Sequence, residues 1–126
     1  MSEIERVVQD YVSAWNSSDS EKRITIMNQV LAENCLYVDS HLPDPIISRE
    51  SHCLFIDRFK DKFPDLSLKL IAPPDSHHGY FRFNWQILKG DGNLFTQGSF
   101  FGEIDRQNQI TKLVGFVDLN KYSQSK

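Results

Sequence analysis

The stretch GYFRFNWQILKGDGNLFTQGSFFGEI, residues 79–104, carries the strongest strand signal in the sequence. Its first ten residues alternate between apolar and polar side chains, which is the period of a β-strand with one buried face. The Asp-Gly pair at residues 91–92 is typical of a tight hairpin turn. A second run rich in aromatic side chains, residues 94–104, follows this turn. The stretch therefore predicts two long antiparallel strands joined by a hairpin.

Two further strand-like segments flank this hairpin. LSLKLI, residues 66–71, alternates in the same way, and Pro73 and Pro74 interrupt the pattern after it. QITKLVGFVDL, residues 109–119, follows the turn DRQN and indicates the last strand. The second half of the chain therefore predicts a four-strand antiparallel meander. We expect the polar tail at residues 120–126 to fray.

The first part of the chain has the period of helices. Ser2 and Glu5 form a capping box that starts the first helix, and Ser18 and Glu21 repeat its spacing before the second. The apolar stripes of these helices are Ile4, Val7, Val8, Tyr11 and Trp15, then Ile24, Met27, Val30 and Leu31. CLYVD, residues 35–39, is β-branched and aromatic and indicates a short strand after the second helix.

A third helix follows a proline-containing loop. Ser48 and Ser51 are candidate starts, and Pro64 ends the helix. Its apolar face carries Phe55, Ile56, Phe59 and Phe63. Three helices segregated from an antiparallel sheet predict an α+β fold. A twisted sheet wrapped round a helix tends to leave a space between them, which would form a pocket if helices cover only part of it.

Length, charge and motifs restrict the classes of function. The chain has 126 residues, which predicts a single domain over residues 1–126. Its net charge of -3 gives no electrostatic reason to bind nucleic acid or an anionic membrane, and its apolar runs are shorter than a membrane span. Two cysteines make no disulfide framework and the acidic N-terminus is unlike a secretory signal, so we expect a cytoplasmic protein. Nucleophile and phosphate-loop motifs are absent, and we expect no cofactor.

Four segments carry a resemblance to a known superfamily: YVSAWNSSD at the end of the first helix, YVD in the first strand, HHGYFRFNW in the meander and ITKLVGFVD in the last strand. Over most of its length the chain resembles the nuclear transport factor 2-like superfamily, in its ketosteroid isomerase-like and SnoaL-like branch. The resemblance implies a cone-shaped, cystatin-like fold in which three N-terminal helices pack on a strongly curved, mainly antiparallel sheet. It supports the fold far better than any one reaction, because the superfamily holds enzymes and binding modules.

The resemblance also implies roles for individual residues. Tyr11 falls on the isomerase tyrosine that donates to the developing enolate oxygen, with Asn16 and Asp19 matched beside it. Asp39 falls on the aspartate that acts as general base. Ser99 falls, after a one-residue shift, on the aspartic acid that is the second oxyanion donor. Serine in that place would weaken the oxyanion hole, at a cost of about a hundred- to a thousandfold in rate.

Each candidate also has a purely structural interpretation. Asp39 could start a turn by accepting from its own loop backbone, and Tyr11 could be a core tyrosine bonded to a backbone carbonyl. The candidate ligand-binding residues are Trp15, Phe55, Phe59, Trp85, Ser99 and Phe101. Helical and strand spacing cannot separate a core residue from a pocket wall, so both interpretations stay open for the aromatic members.

Two adjacent histidines, His77 and His78, precede the strand of the opening stretch. On a regular strand they point to opposite faces, His77 with Phe81 and His78 with Tyr80. That makes them a poor chelate, and the chain has no His-x-His or His-x-x-x-His spacing, so we expect no metal site. His78 is a candidate auxiliary acid or base because histidine titrates near neutral pH.

Three hypotheses of function follow. The first is a cofactor-independent isomerase or cyclase that moves a proton on a small apolar carbonyl compound, with Asp39 as base, Tyr11 as oxyanion donor and His78 as an auxiliary group. The second is a non-catalytic module that binds a small hydrophobic ligand. The third is a dimerisation module without a pocket. In all three we expect a homodimer through the outer face of the sheet.

Overall fold

The computed structural model describes residues 2–118, so the predicted frayed tail lies outside the described residues. The helices are α1 (Glu3–Asn16), α2 (Ser20–Val30) and α3 (Arg49–Lys62). The strands are β1 (Leu31–Asp39), β2 (Ser67–Leu70), β3 (Asp75–His77), β4 (Tyr80–Leu88), β5 (Leu94–Ile104) and β6 (Ile110–Val117). Helices and strands are largely segregated along the chain, which confirms the predicted α+β class.

The six strands form one sheet in the order β1-β6-β5-β4-β2, with β3 paired to β4. β1 runs parallel to β6, and every other pairing is antiparallel. The predicted meander is therefore confirmed, with the short β3 as an addition. β1 begins at Leu31, four residues before the predicted start. Its pairing with β6 shifts register between Leu31 and Leu36, and Leu31 still pairs with Ile110 beyond this shift.

α1 forms as the sequence predicts. The Ser2 hydroxyl accepts the Glu5 backbone N–H at 3.2 Å, while the Glu5 carboxylate accepts the Ser2 N–H at 2.9 Å. This capping box satisfies two N–H groups that a helix start leaves unpaired. The buried stripe packs against the sheet and consists of Val7, Val8, Tyr11, Ala14 and Trp15.

α2 differs from the prediction at its start and on its buried face. Its N-cap is Asp19, whose carboxylate accepts the N–H groups of Glu21 and Lys22, rather than Ser18. Ile24 is 43% exposed, while Arg23 is only 2% exposed. The cause is tertiary: the Arg23 guanidinium donates to backbone carbonyls at the end of α1 and to the Asp57 carboxylate on α3. Burial of Arg23 in this way turns Ile24 outward.

α3 begins at the predicted cap, since Ser48 accepts the Ser51 N–H at 3.1 Å. It ends before Pro64, also as predicted. Its most buried residues are His52, Cys53 and Ile56, and the stripe of phenylalanines is only half-buried. α3 therefore turns its phenylalanine edge toward a space that the sheet does not fill.

The two adjacent histidines do not continue a strand, so the predicted alternation of His77 and His78 is wrong. His78 has φ 53° and Gly79 has φ 82°, and two successive positive φ values make a two-residue hairpin turn between β3 and β4. Both histidines are exposed. Neither shares a face with the buried residues of β4.

Candidate functional site

A cavity of about 170 Å³ lies between α1, α3 and the inner face of the sheet. Aromatic and aliphatic side chains dominate its wall, which also contains the carboxylate of Asp39 and the imidazole of His41. Four of the predicted ligand-binding residues line it, namely Trp15, Phe55, Phe59 and Trp85. Its remaining wall residues are Tyr37, Leu42, Leu68, Ile87, Phe95, Thr96, Phe100, Gly115 and Val117.

Asp39 ends β1 and lines this cavity. Its Oδ1 accepts the backbone N–H groups of His41 at 2.7 Å and Leu42 at 3.1 Å, which is the turn role that the sequence offers as an alternative. Its Oδ2 accepts the Tyr37 hydroxyl at 2.6 Å. A carboxylate oxygen has two lone pairs, so Oδ2 keeps one acceptor position for a further proton. The turn holds the carboxylate in place at the cavity wall.

Tyr37 is a site residue that sequence reasoning missed. It shares a face of β1 with Asp39 because residues two apart on a strand point the same way. Its ring packs against Phe55 and Phe100, with ring centroids 5.7 and 6.1 Å away. Burial, followed by the nearby Tyr11 and Asp39, raises the pKa of the Tyr37 hydroxyl well above its usual value. Tyr37 therefore stays a neutral donor. The pattern YVD could have revealed the pair.

The structure places Tyr11 behind the cavity rather than in its wall. Its hydroxyl shares a 2.9 Å hydrogen bond with Nε2 of His52, so neither a ligand nor a backbone carbonyl is needed as its partner. The His52 ring also meets the Tyr37 ring edge to face, with centroids 4.6 Å apart. Tyr11 therefore supports Tyr37 through His52.

His52 was also missed by sequence reasoning. It is fully buried, and its Nδ1 has no hydrogen-bond partner among residues 2–118. Burial lowers the pKa of His52 to about 3, so the ring is neutral at ordinary pH. His52 lies one helical turn before Phe55 and Ile56, and an extended α3 stripe could have predicted its burial.

Ser99 and Phe101 do not line the cavity. Phe100 occupies that part of the wall, and alternation along β5 sends its two neighbours to the outer face. There Ser99 pairs with Asn84 on β4, and Phe101 is 45% exposed. The structure therefore does not bring either residue together with Asp39, because the shift that matched Ser99 to the isomerase donor has the wrong strand parity.

His77 and His78 also lie away from the cavity. Their Nδ1 atoms are 3.0 Å apart at the exposed β3–β4 turn. Within the described part of the chain, no group of three or more His, Cys, Asp or Glu side chains is placed to hold a metal ion. The geometry thus leaves His78 outside the candidate site.

Phe95 reaches the cavity through an irregularity in β5. Ile87 of β4 pairs with Thr96, but the next residue of β4, Leu88, pairs with Leu94, so Phe95 is an extra residue on the bulged strand. Regular alternation would put Phe95 and Thr96 on opposite faces, yet both line the cavity. The bulge therefore redirects Phe95 to the inner side, a feature that alternation in the sequence cannot predict.

Comparison with solved structures identifies the class of fold and then the family. The arrangement of three helices and a mainly antiparallel sheet is that of the nuclear transport factor 2-like superfamily. A candidate isomerase of the SnoaL-like family from Agrobacterium tumefaciens strain C58 superposes with a TM-score of 0.85 and is 30% identical, over 94% of this chain and 99% of that chain. At that identity and coverage the chain belongs to the SnoaL-like family.

More distant structures share the fold alone. A SnoaL-like protein of unknown function from Burkholderia thailandensis E264 is 12% identical with a TM-score of 0.72, over 91% of this chain and 94% of that chain. A ketosteroid isomerase candidate from Kribbella flavida DSM 17836 is 17% identical with a TM-score of 0.67, over 91% and 77%. No family model and no curated protein matches the chain. Among residues 2–118, no helix is long and apolar enough to cross a membrane.

Proposed function

We propose that the chain is a cofactor-independent acid–base enzyme that moves a proton on a small, largely apolar carbonyl compound, with Asp39 as the base. One observation carries the proposal. The Asp39 carboxylate lies in the wall of a largely apolar, aromatic cavity and keeps a free lone pair on Oδ2. A base held among apolar groups is the arrangement that proton abstraction next to a carbonyl requires.

In the proposed step the proton on the carbon next to the carbonyl passes to Oδ2 of Asp39. The C–H electron pair forms the enolate double bond, and the carbonyl oxygen takes the negative charge. Protonated Asp39 is a weaker acceptor than that oxygen, so the Tyr37 hydroxyl can transfer its hydrogen bond to the enolate. Return of the proton from Asp39 to a different carbon of a conjugated enolate completes an isomerisation.

Tyr11 and His78 have different parts in this proposal from those that the resemblance implies. The Tyr11 hydroxyl bonds to His52, so Tyr11 acts as a support behind Tyr37 and not as the ligand donor. His78 takes no part, because it lies at an exposed turn.

The size of the cavity limits the ligand. A volume of 170 Å³ is close to that of an engineered cavity of about 150 Å³ that binds benzene. A ligand of that size is far smaller than a steroid. We therefore propose a small apolar organic ligand with one carbonyl group.

The cone-shaped, strongly curved sheet is part of the same proposal. Three glycines at closely packed strand positions support it. A Cβ at Gly98 would lie 2.0 Å from the Phe116 carbonyl oxygen, and one at Gly102 would lie 2.5 Å from the Phe81 ring. A Cβ at Gly115 would lie 3.0 Å from the Cβ of Asp39. Glycine at such points allows strands to bend and approach closely.

We further propose a homodimer that packs through the outer face of the sheet. Phe101 and Phe116 support it, because they are 45% and 57% exposed on adjacent strands of that face. Sedimentation velocity with Phe101→Asp tests the interface: the variant should be monomeric at concentrations where the wild type is a dimer. The free thiols of Cys35 and Cys53 support a cytoplasmic location.

Deuterium exchange tests the catalytic proposal. The protein is mixed with 2-octanone in D₂O, and loss of the hydrogens next to the carbonyl is followed by proton NMR. Asp39→Asn should abolish catalysed exchange, while its Oδ1 still accepts the turn N–H groups and preserves the fold. Asp75→Asn, an exposed carboxylate on β3, is the matched control and should leave exchange unchanged. Equal exchange by wild type and Asp39→Asn would overturn the assignment.

A non-catalytic binding module is the second candidate. It is favoured by the three hydrogen bonds that Asp39 already accepts within the chain, which give the carboxylate a structural role without any ligand. In that case 2-octanone would bind without exchange in either protein. Quenching of Trp15 and Trp85, the two tryptophans of the chain, would report that binding because both line the cavity.

A further inference from the structure

The wall of the cavity includes residues from the end of β1 and from the first half of β5. Asp39 pairs with Gly115, and Gly115 pairs with Phe100, so Asp39 lies two strand spacings, or about 10 Å, from β5. Phe95 lies five residues from Phe100 along β5, which is about 16 Å. Asp39 and Phe95 are therefore well separated in the wall, and a ligand that reaches both within a volume of 170 Å³ must be slim.

Phe95 lines the cavity near the start of β5. Its ring lies 6.1 Å from the ring of Phe63 at the end of α3, and Phe63 lies 5.2 Å from Phe59. Phe95 and Phe63 also line an open groove on the surface, so Phe95 separates this groove from the inner cavity. Phe95 is 47% exposed, and its ring can therefore be removed or moved without emptying the core.

We propose that the ligand is a slim, unbranched apolar carbonyl compound that lies along β5, with its carbonyl at Asp39 and its apolar end against Phe95. Phe95 thereby sets the greatest length of ligand that the cavity accepts. This inference rests on the proposed function for the direction in which the ligand lies. The bulge supports it, because a bulge that redirects one side chain into a site is a device that shapes the site.

Binding of methyl ketones of increasing length tests the inference. Straight-chain 2-alkanones from about four to twelve carbons are titrated while tryptophan fluorescence is recorded. Each methylene that enters the apolar cavity should lower Kd about fourfold, until the chain reaches Phe95 and the gain stops. Phe95→Ala should extend this gain by about two to three further methylenes, because the chain can then pass into the surface groove.

Leu54→Ala is the matched control. Leu54 is 47% exposed, as Phe95 is, but does not line the cavity, so its removal should leave the limiting length unchanged. Near-ultraviolet circular dichroism of each variant checks that the fold is retained. A limiting length that is the same in wild type and Phe95→Ala would overturn the inference, and so would tighter binding of branched or fused-ring ketones with equal carbon number.

The two proposals fail in different ways. Binding that depends on chain length without deuterium exchange would leave the length limit standing and remove the catalytic role of Asp39. Exchange that requires Asp39 but shows the same Kd at every chain length would support the enzyme and overturn the role of Phe95. Absence of both binding and exchange for all ketones would overturn both.

Discussion

The Tyr37 hydroxyl donates to Oδ2 of Asp39 at 2.6 Å, and the two residues share one face of β1. The bond joins the buried aromatic cluster to the carboxylate at the cavity wall. Loss of this bond should therefore affect both the stability of the fold and the position of the proposed base, because the Tyr37 hydroxyl contributes to each.

Replacement of Tyr37 by Phe should lower both stability and rate. A hydrogen bond to a charged group contributes about 1.5–3 kcal/mol, and we expect the free energy of unfolding to fall by about 1–2 kcal/mol because Asp39 is only half-buried. Ketone exchange should slow about a hundredfold, as expected when an oxyanion donor is lost.

A double-mutant cycle with Asp39→Ala separates the pair from other effects of the ring. Urea unfolding of the wild type, both single variants and the double variant gives the coupling energy. We expect about 1–2 kcal/mol. A coupling near zero would show that the bond contributes nothing to stability, even if each single variant is less stable.

The buried His52 should make stability depend on pH. Burial lowers its folded pKa to about 3, against about 6.5 in an unfolded chain. Between about pH 3 and 6.5, His52 is therefore protonated in the unfolded chain and neutral in the folded protein. The contribution of neutral His52 to the free energy of unfolding is complete above about pH 6.5. It is lost as the pH falls toward 3, by about 1.4 kcal/mol per pH unit.

Urea unfolding of His52→Gln between about pH 5 and 6.5 checks this expectation, in a range above the ordinary carboxylate pKa values. The free energy of unfolding of the variant should change less steeply with pH than that of the wild type. The difference in slope should correspond to the uptake of about one proton on unfolding. His77→Gln, a replacement of an exposed histidine, is the control and should keep the wild-type slope. Parallel slopes for wild type and His52→Gln would contradict the assignment of the effect to His52.

A methyl group at Gly115 should disturb the cavity wall directly. A Cβ at this position would lie 2.7 Å from Cε1 of Phe100 and 3.0 Å from Cβ of Asp39, closer than ordinary contacts. Gly115→Ala should therefore cost about 1–3 kcal/mol of unfolding free energy by overpacking. It should also weaken ketone binding.

Gly90→Ala is the comparison for this substitution. A Cβ there would be 3.5 Å from the Asp65 side chain, which is an ordinary contact, and the residue is in an exposed turn. Thermal unfolding should show little change for Gly90→Ala and a clear loss for Gly115→Ala. Similar melting temperatures for the two variants would contradict this prediction, because they would show that Phe100 and Asp39 can shift to make room for the methyl group at little cost in stability.

Replacement of the buried Arg23 should lower the free energy of unfolding far more than replacement of an exposed arginine. It joins α1 to α3 by donating to the Ala14 and Ser17 carbonyls and to Asp57. Removal of one partner from a buried ion pair typically costs about 3–5 kcal/mol, so we expect a loss of that order for Arg23→Met.

The exposed pair of Arg82 with Asp75 provides the control, because its side chains are 74% and 75% exposed. Arg82→Met should change the free energy of unfolding by less than about 0.5 kcal/mol. Chemical denaturation of both variants gives the comparison. A loss at position 23 as small as that at position 82 would show that the buried ion pair is no more important than a surface one.

Local periodicity was enough to predict the class of fold and every described helix and strand except β3. The alternating stretch and the Asp91–Gly92 turn predict the β4–β5 hairpin, and the capping box at Ser2 predicts the start of α1. These signals are local, since a strand face or a helix cap depends on residues a few positions apart. The resemblance correctly gave the superfamily.

Features that depend on distant partners could not be predicted in this way. Arg23 is buried because α1 and α3 provide its acceptors, and the Tyr11 hydroxyl bonds to a histidine on another helix. The bulge at Phe95 depends on the register against β4, which alternation within β5 does not contain. Spacing thus identified four wall residues, while the hydrogen bonds of Asp39 and the place of Phe95 in the cavity wall required the three-dimensional structure.

The parallel pairing of β1 with β6 has a consequence for the newly made chain. Asp39 ends β1 and its neighbour Gly115 lies in β6, so this wall of the cavity cannot form until β6 has left the ribosome. Until then the phenylalanines of α3 lack their cover from the sheet. Such long-range pairing folds slowly and leaves apolar surface open to aggregation. Truncation before β6 would therefore yield insoluble chains rather than a smaller working domain.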